Sequence, residues 1–231
     1  MMQRHSLIAC AILLLTAEMA VAQPRTDEWV SYRDVYRAMV QFDKYGGPKT
    51  LLLQHLQVVP RAKGALGDGL QLRLDSRTVQ ASLALDATGR GVLPLVKSAY
   101  DENAVLAPNR PLGGFTVRPR VSLALRADGA YDAAGLRAAC EQALGFARYA
   151  SASARRLRCA GVRLVFARTG ADAGVRVRAG GVEAVLPQTR GPAFAGDLDD
   201  DFPVVTYRFG AQSDAQLVTY NAPLAIVPLF E

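Results

Sequence analysis

Histidine is nearly missing from this chain: only His5 and His55 occur. A serine–histidine hydrolase would need His55 as its base, yet neither Gly-x-Ser-x-Gly nor Ser-x-x-Lys is present to supply the nucleophile. His55 stands between Gln54 and Leu56 in an apolar stretch, the setting of a partly buried structural imidazole. Glycine-rich phosphate loops of the Walker or Rossmann kind are also lacking, so no cofactor is expected. Cysteine is scarce, with three residues and no Cys-x-x-Cys pair, which removes thioredoxin-type exchange. Beyond residue 22 no apolar run approaches the roughly 18–20 residues that span a bilayer. These absences lean against an enzyme.

The amino terminus carries Arg4 and His5, an apolar stretch from Leu7 to Leu15, and small residues at Ala20 and Ala22 before Gln23. This three-part pattern predicts a secretory signal peptide over residues 1–22, cut after Ala22. Glu18 interrupts the stretch and argues against an uncleaved anchor. Leu7-Ile8-Ala9-Cys10 resembles a lipobox, but Cys10 opens the apolar core instead of following it. The expected location is therefore the periplasm or the exterior of the cell.

Cleavage removes one cation, Arg4, and one anion, Glu18, so the net charge of +6 is unchanged. The excess is mostly arginine, densest through Arg148, Arg155, Arg156, Arg158, Arg163, Arg168, Arg176 and Arg178. Outside the cytoplasm such a field favours lipid headgroups, lipopolysaccharide phosphates, cell-wall polymers or acidic proteins over nucleic acid. A plainer reading is an arginine-rich bias spread over solvated faces. Cys140 and Cys159 remain after cleavage and read as one disulfide in an oxidising compartment. Two thiols without a neighbouring histidine do not fill a tetrahedral metal site.

Ser31 to Lys44 is the clearest element. Tyr32, Val35, Tyr36, Met39 and Val40 recur at helical spacing, Ser31 and Asp34 form a capping box, and Gly46-Gly47-Pro48 stops the helix. From Lys49 the period becomes two. Strands are expected at 70–74, 79–85 and 91–95, the last an edge strand because of Pro94. Phe115 to Ala127 follows a Pro/Asn/Gly-rich link, and Asp128-Gly129 turns into a second helix over Asp132 to Ala150, with Leu136, Cys140, Ala143, Leu144 and Ala147 on one side. Strands near 162–168, 175–177, 182–186, 204–209, 217–220 and 224–229 complete the pattern.

Blocks of strands with only two helices predict an α+β fold, mostly antiparallel, with a Greek-key or sandwich-like portion. Residues 23–112 form an amino-terminal helix plus β-rich portion, and 113–231 an α+β portion that is either separate or continuous with it. Residues 49–112 are expected to make a small sandwich of their own.

Asp197, Asp199, Asp200 and Asp201 are the one acidic constellation, in a Pro/Gly-rich loop. Asp197, Asp199 and Asp201 are the metal candidates. However, Phe202 and Arg208 occupy the positions where a calcium loop of the EF-hand type needs glycine and glutamate. A solvated loop that answers the arginines electrostatically is the plainer reading. Arg163, Arg176 and Arg178 are candidates for a surface that meets an anionic partner, provided their strands pair and share one outer face.

The helix at Tyr32–Tyr36, the helix at Leu136–Tyr149, the strand Gly161-Val-Arg-Leu-Val-Phe166 and the closing Pro223-Leu-Ala-Ile-Val-Pro228 together resemble small exported proteins of Gram-negative bacteria that carry a domain of unknown function. The resemblance implies a location and supplies no activity or site residues. The functional expectation is a non-enzymatic binding or accessory protein of the cell envelope, whose partner is an envelope protein or an anionic envelope component. Alternatives are a carboxylate-dependent envelope hydrolase built on Asp197, Asp199 and Asp201, or a carrier of a small apolar ligand.

Overall fold

The structure is a computed structural model that describes residues 28–64, 66–169, 173–210 and 214–231. The expected signal peptide, residues 1–22, and Cys10 within it lie outside the described residues. In chain order the first half contains β1 (Val30–Ser31), α1 (Tyr32–Lys44), β2 (Leu52–Pro60), β3 (Gln71–Asp75), β4 (Gln80–Ala84), β5 (Arg90–Gly91), α2 (Lys97–Asp101), β6 (Val105–Pro108) and β7 (Phe115–Leu123). The second half contains β8 (Ala130–Asp132), α3 (Ala133–Ala150), a 3-10 turn (Ala152–Arg156), β9 (Cys159–Val165), β10 (Val175–Ala179), β11 (Val182–Val185), β12 (Gln188–Gly191), β13 (Phe202–Arg208), β14 (Gln216–Thr219) and β15 (Ala225–Phe230).

Both long helices start where their caps place them. The Ser31 hydroxyl accepts from the Asp34 amide at 3.3 Å, and the Asp132 carboxylate accepts from the Gly135 amide at 2.5 Å. Each bond satisfies a first-turn N–H that has no partner within the helix. At the far end of α1 the Lys49 ammonium donates to the carbonyls of Phe42, Asp43 and Tyr45, where a cation also complements the helix dipole.

A seven-stranded antiparallel sheet in the order β12-β13-β9-β15-β7-β2-β5 forms the centre. β2 and β7 pair along nine residues from Leu52↔Leu123 to Pro60↔Phe115, which joins the chain on the two sides of residue 112 in one sheet. Residues 49–112 therefore do not close into a sandwich of their own, because β2 and β5 belong to the central sheet. β3, β4 and β6, with β1, form a smaller sheet in the order β1-β6-β3-β4. Pro94 lies just past β5, and its carbonyl accepts from the Tyr32 hydroxyl at 2.6 Å in place of the expected strand over 91–95.

Strand alternation sends two kinds of side chain to opposite faces of the central sheet. Leu56 and Val58 of β2, Val162 and Leu164 of β9 and Ile226 of β15 lie on the helix side. Tyr32, Val35 and Met39 of α1 meet this face together with Leu72, Leu74 and Leu106 of the smaller sheet. Leu136 and Ala139 of α3 meet it further along, beside Val175 and Leu217 of a third sheet, β11-β10-β14-β8. The fold is thus α+β, mostly antiparallel and sandwich-like, with two main helices in the layer opposite the central sheet.

Cys140 of α3 and Cys159 at the start of β9 form a disulfide, with Cα atoms 6.0 Å apart. Cys140 is fully buried. Gly161, two residues into β9, must be glycine for a local reason: a Cβ there would meet the Tyr207 carbonyl oxygen of β13. Among the described residues no helix is long and apolar enough to cross a membrane.

Candidate functional site

The other face of the central sheet is polar where β2 meets β7. His55 and Gln57 of β2 point there beside Arg118, Arg120 and Ser122 of β7. The connection from β12 to β13, residues 192–201, crosses this face as a strap. Its Ala193 and Phe194 cover Val165, Val204 and Ala225 in an apolar cluster, and its carboxylates reach cations.

Asp197 lies deepest. It accepts from Arg120 Nη2 at 2.5 Å, from Gln57 Nε2 at 2.8 Å and from the Phe194 amide at 3.2 Å. Arg120 also donates to Gln57 Oε1 at 2.6 Å, so the three side chains close a ring of charge-assisted bonds. Burial pushes the Arg120 guanidinium below its ordinary value, with the Asp197 charge opposing that shift. The Phe194 ring stands between two guanidiniums, 4.9 Å from Arg120 and 5.4 Å from Arg90, within cation–π reach. Arg90 is only 5% exposed and is held by Asp86 at 2.7 Å, Thr88 at 2.9 Å and the Leu224 carbonyl at 2.5 Å. Beneath the strap a cavity of about 20 Å³ bordered by Gln57, Thr88, Asp197 and Phe202 has room for a single water.

The four aspartates diverge to four different cations. Asp197 pairs with Arg120, Asp199 with Arg168, Asp200 with Lys63 at 2.9 Å and Asp201 with Arg190 at 3.4 Å. Arg168 also stacks 3.7 Å over the Phe202 ring. The metal and hydrolase candidates Asp197, Asp199 and Asp201 are thereby spread along the strap instead of converging. Among the described residues no group of three or more His, Cys, Asp or Glu side chains is placed to hold a metal ion.

His55 is half-buried on this face, opposite Arg120 in the β2–β7 register, and its Nδ1 has no hydrogen-bond partner. Burial pushes its pKa below the ordinary 6.5, the Arg90 charge adds to the shift and Asp86 opposes it. As pH falls through 6.5 the unfolded chain takes up a proton that the folded chain refuses, so stability drops on acidification. Denaturant unfolding between neutral pH and about pH 5 should show this loss in the natural chain and a flatter profile in His55→Gln. An equal acid slope in the variant would place the titration elsewhere.

The arginines that the sequence grouped do not all meet. Arg176 and Arg178 share one side of β10 and share one counter-ion, Glu183, at 3.0 and 2.8 Å. β9 pairs with β13 and β15, and β10 with β11 and β14, so Arg163 does not join that stripe. It lies on the central sheet instead, partly buried, donating to the Pro192 carbonyl of the strap at 3.1 Å with its Nε unpartnered.

A different set of cations is unanswered. Arg148, Arg155, Arg156 and Arg158 are exposed where α3 ends and the 3-10 turn leads into β9. Among the described residues none of them forms an ion pair with a carboxylate. Arg148 donates to the Leu157 carbonyl at 2.6 Å, which ties the last turn of α3 to the segment that follows. Glu231 lies alongside through backbone bonds to Arg158, but its carboxylate is paired with Arg208. Next to these arginines the ends of α1 and α3 are joined by rings. Tyr45 lies 5.6 Å from Phe146 and 5.3 Å from Tyr149, and Phe42 lies 5.1 Å from Phe146. Tyr149 is 54% exposed.

Sequence reasoning did not find Gln57, Arg90, Arg120 or Phe194. The available signal was the run of polar side chains in β2 and β7, which alternate with apolar neighbours and so mark a face that something polar must cover. No protein-family model, curated protein or solved structure matches the chain.

Proposed function

We propose that this chain is an exported, periplasmic accessory protein that binds an anionic envelope component and catalyses no reaction. The observation that carries this reading is the set of exposed arginines at the end of α3 that pair with no carboxylate among the described residues. Elsewhere many cations are answered by carboxylates, among them Lys63 by Asp200 and Arg176 by Glu183. A cluster left without counter-ions on a chain of net charge +6 projects a positive field that attracts polyanions. The disulfide supports an oxidising compartment, and the signal pattern supports export.

Retention on immobilised heparin tests the reading. Replacing Arg155, Arg156 and Arg158 together by glutamine should lower the slope of log affinity against log salt by about one for each charge removed. Arg176→Gln with Arg178→Gln should do less, because Glu183 already neutralises half of that pair. Unchanged retention in the triple variant would overturn the assignment.

A second reading, a carrier of a small apolar ligand, has one observation in its favour. A groove of about 350 Å³ runs between α1 and the sheet, bordered by Val30, Val35, Ala38, Leu56, Val117 and Pro119. That volume is at the small end for ligand pockets.

A further inference from the structure

Given the reading above, we infer that the anionic component is the surface of an anionic phospholipid bilayer, docked against the joined ends of α1 and α3. Three features of this surface point to a bilayer over a dissolved polyanion. The first is charge: no acidic residue occurs between Glu141 and Cys159, while Arg148, Arg155, Arg156 and Arg158 all do, and the one acid alongside, Glu231 next to Arg158, has its side chain paired with Arg208. Asp43 and Glu141 are the nearest acids on the two helices. Each basic side chain held near an anionic leaflet strengthens binding about fivefold.

The second feature is Tyr149. A dissolved polyanion would be held by the guanidiniums alone and would gain little from an exposed ring. At a membrane surface a tyrosine places its apolar body among the acyl-chain ends and its hydroxyl among wet headgroups, which is why such rings collect there. The Tyr149 ring packs beside the Tyr45 and Phe146 rings, 5.3 and 6.4 Å between centroids, while 54% of the residue stays exposed. Arg148 precedes it in the chain, so a phosphate contact and a ring insertion come from one turn of helix.

The third feature is pre-organisation. The Cys140–Cys159 bond closes a covalent loop that contains all four arginines and Tyr149. Ala150, Ser151, Ala152 and Ser153 within it are exposed and small, so the surface can approach closely. Little conformational freedom is then lost on docking, which favours binding by the rigid chain as it stands.

The test uses the purified chain with its disulfide intact, sedimented with vesicles of phosphatidylethanolamine and phosphatidylglycerol, with phosphatidylcholine vesicles and immobilised heparin alongside. Binding to the phosphatidylglycerol vesicles, absence from phosphatidylcholine, and loss in the triple arginine-to-glutamine variant are expected. The discriminating variant is Tyr149→Ser: it should weaken vesicle binding roughly fivefold through lost ring burial while leaving heparin retention unchanged. Melting curves matching the natural chain establish that both variants fold. Retention on heparin without vesicle binding overturns the bilayer assignment and leaves the anionic reading standing. Vesicle binding that Tyr149→Ser does not weaken also overturns it, since the surface would then be electrostatic alone. Failure to bind either matrix overturns both.

Discussion

Replacing Asp197 by alanine is expected to destabilise the chain by about 3–5 kcal/mol, the cost of leaving one member of a buried ion pair without its partner. The carboxylate is 7% exposed and the Arg120 side chain 17%, so water cannot readily take over the lost bonds. Arg120 keeps its bond to Gln57 and Gln57 its bond to the Thr88 carbonyl, but three hydrogen bonds are lost at once, from the Arg120 guanidinium, the Gln57 amide and the Phe194 backbone N–H. The last of these shapes the turn that seats Phe194 against Val165 and Val204, so apolar cover is expected to loosen with it. Guanidinium unfolding followed by fluorescence or circular dichroism would measure the loss. The pair is held by mutual need more than by net attraction, and this can be separated. Asp197→Leu combined with Arg120→Met should recover most of the stability, because the double change removes the orphaned charge as well as the bond. A single Asp197→Ala variant that loses less than about 1 kcal/mol would mean that the pair behaves like an exposed surface bridge.

Local signals in the sequence were strong for the two long helices and missed the short α2 (Lys97–Asp101). Ser31 caps at the predicted position, the second helix begins one residue after the expected Asp132, which is its cap, and the stripes containing Val35 and Met39 in α1 and Leu136 and Ala143 in α3 turn inward as the 3.6-residue period requires. Alternation located most strands to within a few residues. It could not reveal which strands pair. β2 finds β7 across more than fifty residues of intervening chain, and β15 inserts between β7 and β9 although it comes last. Such pairings depend on side chains fitting in three dimensions and leave no periodic trace.

The same limit applies to the site. Arg163, Arg176 and Arg178 look alike in sequence, each alternating with valine or leucine, yet Arg163 turns toward the strap while the other two face solvent around Glu183. The aspartate run was legible as a feature but not as a device. Only the fold brings Lys63, Arg120, Arg168 and Arg190, which span more than a hundred residues of chain, to one ten-residue segment. The unpaired arginines were visible as a dense run, and what the sequence could not show was which of them lack a carboxylate.

Breaking the Cys140–Cys159 bond is expected to lower stability by about 3 kcal/mol, the chain-entropy value for closing a loop of this length. The two cysteines are 19 positions apart. Reduction isolates the cross-link better than substitution does, because Cys140 is fully buried in α3 and any smaller side chain would add a packing loss. Intact mass with and without reduction and alkylation would count the bridge, and unfolding midpoints under the two conditions would weigh it. A reduced chain as stable as the oxidised one would show that packing alone holds α3 to β9. The consequence reaches the proposed surface, since the bridge closes the loop that carries Arg148, Tyr149, Arg155, Arg156 and Arg158. In the reduced chain that loop keeps the ring contacts of Phe146 and Tyr149 with Tyr45, the buried Ala154 and the Arg158–Glu231 strand pairing, but loses its covalent tie to β9. Its arginines keep their charge while their spacing is held less rigidly, so reduction should weaken binding to a bilayer surface more than it weakens retention on a flexible polyanion, which can follow the charges wherever they go.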